Sequence, residues 1–325
     1  MDEFPVKFRG FWPGFNPADF FLPLISEATG TRAFCRSRGA IITVESVFPK
    51  KPAAFPPGLS SLFEKSVRGY RRRKKNRGVV PEIWFTGENI RPPVGPHQLT
   101  LSFDRDEYGG SNVYLPLILL SLDWFGSSAA GDSVESRRAG VMVSPQQVSR
   151  PKLSDVADRP GFVCAFIGNP EPVRMRAVRE LQKIGQVDVY GRAAGNPVAG
   201  KAAIARDYKF MLCFENDLFP GYVTEKPLEA WASGCIPLWR GIDSEGMLNT
   251  SSHVNAYDHR SLEDFVSEVA VLMENKESLR SMGSEPLFSA EPSLEPVVTA
   301  LRRVINAAQS VGEGPTPKGK RRVRR

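Results

Sequence analysis

One stretch of the sequence, residues 214–241, places charged and aromatic side chains between a strand-like apolar run and a helix. Ligands of open α/β sheets bind at the carboxyl ends of the strands. The first turn of a helix also offers free N–H groups and a positive dipole end, so a diphosphate could dock there with Lys226 adding a full charge. Tyr222 could stack or donate a hydrogen bond, and Glu225 could accept hydrogen bonds from ribose hydroxyls. An ordinary helix start with surface charges would give the same pattern, so the residue types alone leave both interpretations open.

Strands and helices alternate around this stretch. From Gly161 the sequence runs through FVCAFIG, a helical segment, a short VDVY strand and the apolar strand KFMLCFEN. The helical segment places four apolar residues on one face, at spacings of four, four and three: Val173, Ala177, Leu181 and Ile184. Thr224 is predicted to cap the next helix, and Gly234 to end it before the strand CIPLW. Alternating strands and helices predict an α/β fold with a parallel sheet.

The chain has 325 residues, enough for two domains of roughly 150 residues each. Between residues 127 and 160 the composition shifts to Ser, Gly, Ala, Arg and Pro, as is typical of a region between domains. We therefore predict one domain at residues 1–150 and a second at residues 151–311. The remaining residues, 312–325, lack apolar content and are predicted to form a disordered basic tail.

The polar stretch resembles the donor-site signature of the α1,3/4-fucosyltransferase family, glycosyltransferase family ten, in its bacterial type. That signature has a Phe-Glu-Asn strand end, a short variable loop, Tyr-(Val/Ile)-Thr-Glu-Lys, and a Gly-x-x-Pro strand. Its parts stand here as residues 214–216, 222–226 and 234–237. The resemblance implies that GDP-fucose is the donor substrate and that four of these residues bind it: Asn216, Tyr222, Glu225 and Lys226.

A second block, FIGNPEPVRMRAVRELQKIGQVDVYGR, is similar to the family's Ser-Asn, Arg, helix, Val-Asp-x-(Phe/Tyr)-Gly segment, with Gly168 in place of the usual Ser. The family's pyrophosphate-binding arginine, seven residues before a helix leucine, falls on Arg174. Arg176 lies two residues further on and could be confused with it. A guanidinium suits this role because its planar fork bonds phosphate oxygens with two donors.

In the first half, IWFTGENIRPP resembles the family's acceptor-domain pattern, in which a Thr-Gly-Glu-Asn turn supplies the catalytic carboxylate. That residue is Glu88. The resemblance implies two facing Rossmann-like domains of the GT-B type, with the acceptor bound by the first domain and GDP-fucose by the second. It also implies inverting transfer of L-fucose, in α1,3 linkage, to a hydroxyl of an N-acetylglucosamine- or glucose-containing oligosaccharide or glycolipid. One carboxylate suffices as the base for such a reaction, because GDP leaves without protonation if its charge is neutralised.

The formal net charge is +7, but residues 318–325 alone carry six positive charges. The nearly neutral body argues against a nucleic-acid partner. A second basic run, residues 71–77, is interpreted as a solvated loop. The tail is expected to make at most weak contact with anionic lipid, since it lacks an apolar face.

No cofactor or metal is predicted to be required, although divalent metal could stimulate the reaction. The three histidines are scattered, and Asp104-Arg105-Asp106 has an Asp-x-Asp spacing but lies in the acceptor half. We interpret the four cysteines, Cys35, Cys164, Cys213 and Cys235, as buried thiols in a reducing compartment. The sequence shows neither a leader-like start nor an apolar run of about 20 residues. We therefore expect a cytoplasmic location, with a peripheral position at the inner membrane face as a further expectation.

Three alternatives stay open at this point. A GT-B glycosyltransferase could use another GDP-sugar or a different acceptor, because the motifs specify GDP binding better than the sugar ring. A nucleic-acid-binding protein would use the two basic runs. A catalytically inactive relative is the third alternative, and the presence of Glu88, Arg174, Tyr222, Glu225 and Lys226 argues against it.

Overall fold

The computed structural model describes residues 3–12, 15–48, 82–90, 98–106, 111–126, 142–196, 198 and 200–312. Within these ranges the chain forms two parallel sheets, of six and five strands, with helices packed against them. The predicted α/β class is confirmed. The basic run at residues 71–77 and residues 313–325 of the basic tail lie outside the described residues, so the predictions made for them stay predictions. Gly312, the first residue of the predicted tail, instead ends the last helix.

The first sheet has the strand order β2-β1-β3-β4-β5-β6, and all its described pairs are parallel. Its strands are β1 (Glu3–Arg9), β2 (Arg32–Cys35), β3 (Ile42–Glu45), β4 (Glu82–Phe85), β5 (Leu99–Ser102) and β6 (Asn112–Tyr114). Helix α1 (Pro17–Thr29) covers one face, beginning after Asn16, whose side chain accepts a hydrogen bond from the Ala18 amide. Gly30 ends it in the left-handed conformation that favours glycine.

The second sheet has the order β11-β10-β9-β7-β8 and is also parallel throughout. Its strands are β7 (Gly161–Phe166), β8 (Val187–Tyr190), β9 (Tyr208–Leu212), β10 (Ile236–Trp239) and β11 (Val254–Asn255). The remaining helices are α2 (Pro145–Val148), α3 (Pro172–Leu181), α4 (Lys201–Ala205), α5 (Lys226–Ala232), α6 (Leu262–Glu274), α7 (Lys276–Ser284) and α8 (Glu295–Gly312). The chain passes from β7 outward to β8 and then returns to β9 on the other side. The gap between β7 and β9 is therefore the topological switch point of this sheet, where ligands bind in folds of this kind.

Helices pack on both faces of the second sheet. Helices α3 and α6 lie on one face, where Leu181 and Phe265 pack with Phe214. Helix α5 lies on the other face, where Trp231 shares an apolar cluster with Cys213. Because both faces of this sheet are buried, the sequences of its strands are nearly continuous runs of apolar residues.

The last helix, α8, returns to the first sheet and contacts α1, β5 and β6. Its apolar side belongs to the same cluster as Leu24 of α1, and the Arg302 Nε donates to the Ala28 carbonyl at 3.3 Å. The predicted division of the chain at residue 150 stays a prediction. Contacts place this helix with the first sheet although it follows the second in sequence.

Three local expectations are wrong. Thr224 does not cap α5: Glu225 occupies the cap position without a side-chain cap bond, and the Thr224 hydroxyl donates to Glu215 at 2.7 Å instead. The face of α3 ends at Leu181, since residues 182–184 form turns and Ile184 is 41% exposed. Cys35 is exposed because it ends the edge strand β2, whereas the other three cysteines are buried free thiols as predicted.

Among the described residues there is no helix with the length and apolar content needed to cross a membrane.

Candidate active site

Glu88 lies in the turn that follows β4, at the carboxyl edge of the first sheet. Thr86 still belongs to the sheet pattern, because its amide donates to the Leu101 carbonyl at 2.9 Å. A side chain at Gly87 would not fit, since a Cβ there would lie 2.7 Å from the Trp12 ring. Glycine thus lets the backbone pass close to the indole, and Glu88 follows directly after this contact.

The Glu88 carboxylate reaches the second half of the chain. The Tyr222 hydroxyl donates a hydrogen bond to the Glu88 Oε2 at 3.2 Å. Burial raises the pKa of Glu88, while the Tyr222 hydrogen bond and the charge of Lys226 oppose that rise. A carboxylate with a raised pKa is a better proton acceptor, which is the property a general base needs.

Tyr222 is fixed by contacts from both halves. Its ring is 2% exposed and packs edge-to-face on Phe103, with the ring centroids 5.1 Å apart. The preceding residue, Gly221, has a φ of 82°, and a Cβ there would lie 2.4 Å from the Phe103 carbonyl oxygen. Burial and the charge of Glu88 raise the pKa of Tyr222, so the phenol keeps its proton and acts as the donor. Its ring face is therefore unavailable for stacking, and its hydroxyl is the group that acts in the site.

Further contacts join the two halves around this point. The Asn89 side chain donates to the Asp217 carboxylate at 2.6 Å, and the Ile118 amide donates to the Val223 carbonyl at 3.0 Å. Arg105, in the Asp-x-Asp segment noted above, forms an ion pair with a glutamate of the second half, Glu245. The segment that carries Tyr222 is consequently held on the first half by backbone, aromatic and charged contacts.

Arg174 lies on α3, and only 7% of it is exposed. Its Nη2 donates to the Phe214 carbonyl at 2.9 Å and to the Asn216 side-chain oxygen. Burial lowers the pKa of Arg174, and the nearby carboxylate of Glu215 opposes this shift. Arg176, the other candidate, is exposed and pairs with Glu263 at 2.9 Å on the protein surface. Of the two arginines, only Arg174 meets Asn216 at the switch point.

Lys226 is the first residue of α5. Its Nζ donates to the Glu215 Oε2 and to the Thr224 hydroxyl, both at 2.9 Å. Burial alone would lower the pKa of Lys226, but the charges of Glu215 and Glu225 outweigh it, and the pKa is raised. For Glu225, burial is likewise outweighed by the charges of Lys226 and Lys201, so its pKa is lowered. Lys226 is therefore charged and Glu225 ionised at neutral pH.

Glu215 was missed by the sequence analysis. Its carboxylate is fully buried and accepts hydrogen bonds from the Thr224 amide, the Thr224 hydroxyl, the Trp239 indole and Lys226. The available signal was the position of a carboxylate two residues after Cys213, on the same inward-facing side of a buried strand. Burying a carboxylate is costly unless it is paired and hydrogen-bonded. The four hydrogen bonds therefore indicate that Glu215 is part of an ordered polar site and is not an incidental charge.

These residues converge at one place. Arg174 and Asn216 flank the gap between β7 and β9, Lys226 lies beside them at the start of α5, and the Tyr222 hydroxyl links this group to Glu88. The arrangement offers two cations and a helix N-terminus on one side and a proton-accepting carboxylate on the other. Among the described residues there is no group of three or more His, Cys, Asp or Glu side chains placed to hold a metal ion.

Comparisons with known proteins show which sequences and folds this chain resembles. Residues 156–282 match the family model described as glycosyltransferase family 10 (fucosyltransferase), C-terminal. The chain is 26% identical over 245 residues to the α-(1,3)-fucosyltransferase FucT of Helicobacter pylori, an alignment covering 70% of this chain and 51% of that protein. It is 32% identical over 123 residues to the mouse 4-galactosyl-N-acetylglucosaminide 3-α-L-fucosyltransferase 9, covering 37% of this chain and 33% of that protein. The chain thus spans about half, or less, of the length of these relatives.

Solved structures extend the likeness to the fold. A crystal structure of an α1,3-fucosyltransferase superposes with a TM-score of 0.66 at 19% identity, covering 94% of this chain and 90% of that one. The structure of an α1,3-fucosyltransferase with GDP-fucose gives a TM-score of 0.64 at 19% identity, covering 93% and 90%. The predicted GT-B type fold is confirmed, and so is the similarity to the fucosyltransferase family that the sequence motifs indicated.

Proposed function

We propose that this chain, whose residues 156–282 match the C-terminal family model of glycosyltransferase family 10, transfers L-fucose from GDP-fucose to a sugar hydroxyl. The acceptor is an oligosaccharide or glycolipid containing N-acetylglucosamine or glucose, and the transfer inverts the donor configuration to give an α1,3 linkage. The observation that carries the proposal is the meeting of the two halves: Arg174 and Lys226 at the switch point of one sheet, and Glu88 at the edge of the other.

The donor side handles the leaving group. Arg174 and Lys226 neutralise the negative charge that develops on GDP as the glycosidic bond breaks, and they are already in position before the reaction begins. Asn216 orients Arg174 through its side-chain oxygen. Glu225, ionised and half-buried beside Lys226, accepts hydrogen bonds from the ribose hydroxyls. GDP therefore leaves without protonation by a general acid, which glycosidases need for their poorer leaving groups.

The acceptor side supplies the base. Glu88 removes the proton of the attacking hydroxyl, and its raised pKa suits that role. Because Glu88 comes from the first sheet and the two cations come from the second, the base and the groups that hold the leaving diphosphate can act from opposite sides of a fucose ring bound between them. This placement supports single displacement with inversion.

Neutralisation by Arg174 and Lys226 also supports a reaction without an obligatory metal, with divalent metal at most stimulating it. Chelation provides the test, because we expect transfer to continue in excess EDTA. The predicted cytoplasmic location and the weak contact of the basic tail with anionic lipid remain predictions.

The test of the proposal is GDP release by the purified protein from GDP-fucose, with and without N-acetyllactosamine or lactose. We expect release to be stimulated by acceptor and to be lost in the Glu88→Gln variant, which keeps the shape of the side chain but removes the base. GDP-mannose serves as the matched donor control. If GDP-mannose is used in place of GDP-fucose, the alternative of a GT-B enzyme with another GDP-sugar is correct; binding of GDP without any release would indicate a different sugar or acceptor.

A further inference from the structure

Beyond the end of β9 the sheet hydrogen bonds continue for three residues, because the Cys213 amide donates to the Leu238 carbonyl at 2.9 Å and the Glu215 amide to the Arg240 carbonyl at 3.1 Å. Successive side chains of an extended segment point to opposite faces of the sheet. Phe214 packs on the face of α3 and α6, whereas Cys213 packs on the face of α5. By the same alternation, Asn216 faces α3 and Glu215 faces α5.

The two cations of the site come from helices on these opposite faces. Arg174 lies on α3, and it is held by the Phe214 carbonyl and the Asn216 side chain. Lys226 lies at the start of α5, and it is held by the Glu215 carboxylate at 2.9 Å. One segment of three residues therefore holds both positive groups.

We propose that Glu215 is a positioning residue for the donor site, which fixes Lys226 at the place where the diphosphate binds. The inference rests on the proposed function and adds to it a residue that does not touch the donor. Both carboxylate oxygens are already occupied: Oε1 accepts from the Thr224 amide and the Trp239 indole, and Oε2 accepts from the Thr224 hydroxyl and Lys226. With a fully buried side chain and both oxygens used, Glu215 has no role as a base or as a direct ligand.

The physical reason for a carboxylate here is the partial burial of Lys226, whose side chain is 21% exposed. A buried lysine loses its proton at a lower pH than an exposed one, unless a negative charge holds the proton in place. The charged groups that act on Lys226 are Glu215, Glu225 and Glu229 together with Arg174, and Lys226 in turn acts on Glu88. Of the three carboxylates, only Glu215 accepts a hydrogen bond from its Nζ. Glu215 therefore fixes both the position of the ammonium group and its charge.

The substitution Glu215→Gln separates this role from a general packing role. Glutamine has nearly the same shape, and its oxygen can still accept from the Thr224 amide and the indole. Its amide group, however, cannot accept from Lys226. A matched control exists on α5: Glu229 forms a comparable ion pair with Lys201 at 2.7 Å, and its side chain is 10% exposed. Glu229→Gln breaks a second mostly buried Glu–Lys pair without touching Lys226.

The experiment measures GDP affinity by titration calorimetry at about pH 7 and about pH 9.5, for the wild type and both variants. In the wild type Lys226 stays charged over this range. Glu229 acts on Lys226 through its charge but accepts no hydrogen bond from it, so Glu229→Gln should give nearly the wild-type ratio of the two dissociation constants. For Glu215→Gln we expect a ratio at least about twofold larger, because loss of the carboxylate lowers the pKa of Lys226 and at least half of the lysine then loses its proton at the higher pH. The guanine base also titrates in this range, but equally in all three proteins.

A second measurement separates the effect of Glu215→Gln on Lys226 from any effect on the folding stability of the protein. In a Lys226→Met background, Glu215→Gln should no longer change the pH dependence of GDP binding, since the group that it holds is gone. Should Glu215→Gln fail to fold, Glu215→Asp tests the same contact, because the shorter carboxylate cannot reach Lys226. We then expect weaker GDP binding at both pH values. Equal ratios in the wild type and Glu215→Gln would overturn the inference alone. A wild-type protein without affinity for GDP would overturn the proposed function, and this inference with it.

Discussion

The hydrogen bond between Tyr222 and Glu88 makes a prediction about the pH dependence of transfer. Tyr222→Phe removes only the hydroxyl, and the ring keeps its edge-to-face contact with Phe103. The hydroxyl donates to the ionised form of Glu88 at 3.2 Å and so lowers its pKa against the opposing effect of burial. Without this hydrogen bond the pKa of Glu88 rises further. The base is then protonated, and inactive, up to a higher pH than in the wild type.

The size of the shift follows from the strength of the bond. A hydrogen bond to a charged group contributes about 1.5 kcal/mol at the lower end of its range, which suits a contact of 3.2 Å. This free energy corresponds to about one pKa unit. The acidic limb of the rate profile should therefore move to higher pH by about one unit, with a loss of about tenfold in rate below both pKa values and no loss above them.

The assay is kcat/KM for the acceptor at saturating GDP-fucose, measured across the pH range in which the protein stays folded. Saturating donor removes any effect of Tyr222 on GDP-fucose binding. Tyr208→Phe is the matched control, because it also deletes a buried tyrosine hydroxyl that donates to a carboxylate, that of Asp188 at 2.7 Å, away from the site. If the profile of Tyr222→Phe coincided with those of the wild type and the control, the hydrogen bond would not set the pKa of the base.

Three further changes probe separate parts of the site. Glu88→Ala should abolish transfer and leave GDP affinity within a factor of about two, and retained turnover would show that another group is the base. Lys226→Ala should weaken GDP binding itself and reduce the transfer rate by about 10² to 10³; unchanged GDP affinity by calorimetry would contradict a diphosphate contact. Gly221→Ala places a Cβ 2.4 Å from the Phe103 carbonyl oxygen at a φ of 82°, so we expect the midpoint of thermal unfolding to fall and turnover to drop. Wild-type values for both would mean that this close approach relaxes without consequence.

The arrangement of the second half was open to prediction from sequence because its signals are local. Alternating apolar runs and helix faces predict a parallel sheet whatever the ligand. The family motif then indicated which strand end carries the polar residues, and the structure brings Arg174, Asn216, Tyr222 and Lys226 together there. Their roles in binding the donor remain predictions.

The parts that were missed depend on partners distant in sequence. Thr224 has the residue type of a helix cap, but a buried carboxylate nine residues earlier is a stronger partner for its hydroxyl, so the cap is not formed. In the sequence, Glu215 is simply a polar residue at the end of a strand. Only the fold shows that its carboxylate accepts hydrogen bonds from four donors. The amphipathic pattern of α8 predicts a helix with one buried face, but it does not say which sheet that face covers.

The return of α8 to the first sheet has a consequence for synthesis of the chain. The last strand of that sheet ends at Tyr114, and α8 begins at Glu295. At ribosomal rates of roughly 5 to 20 residues per second, the intervening ~180 residues take about 10 to 40 seconds to make. During this interval the side of α1 that α8 will contact lacks that cover. The core of the first half is therefore completed only after the whole second sheet has been made, and until then the face that α8 covers stays open to solvent.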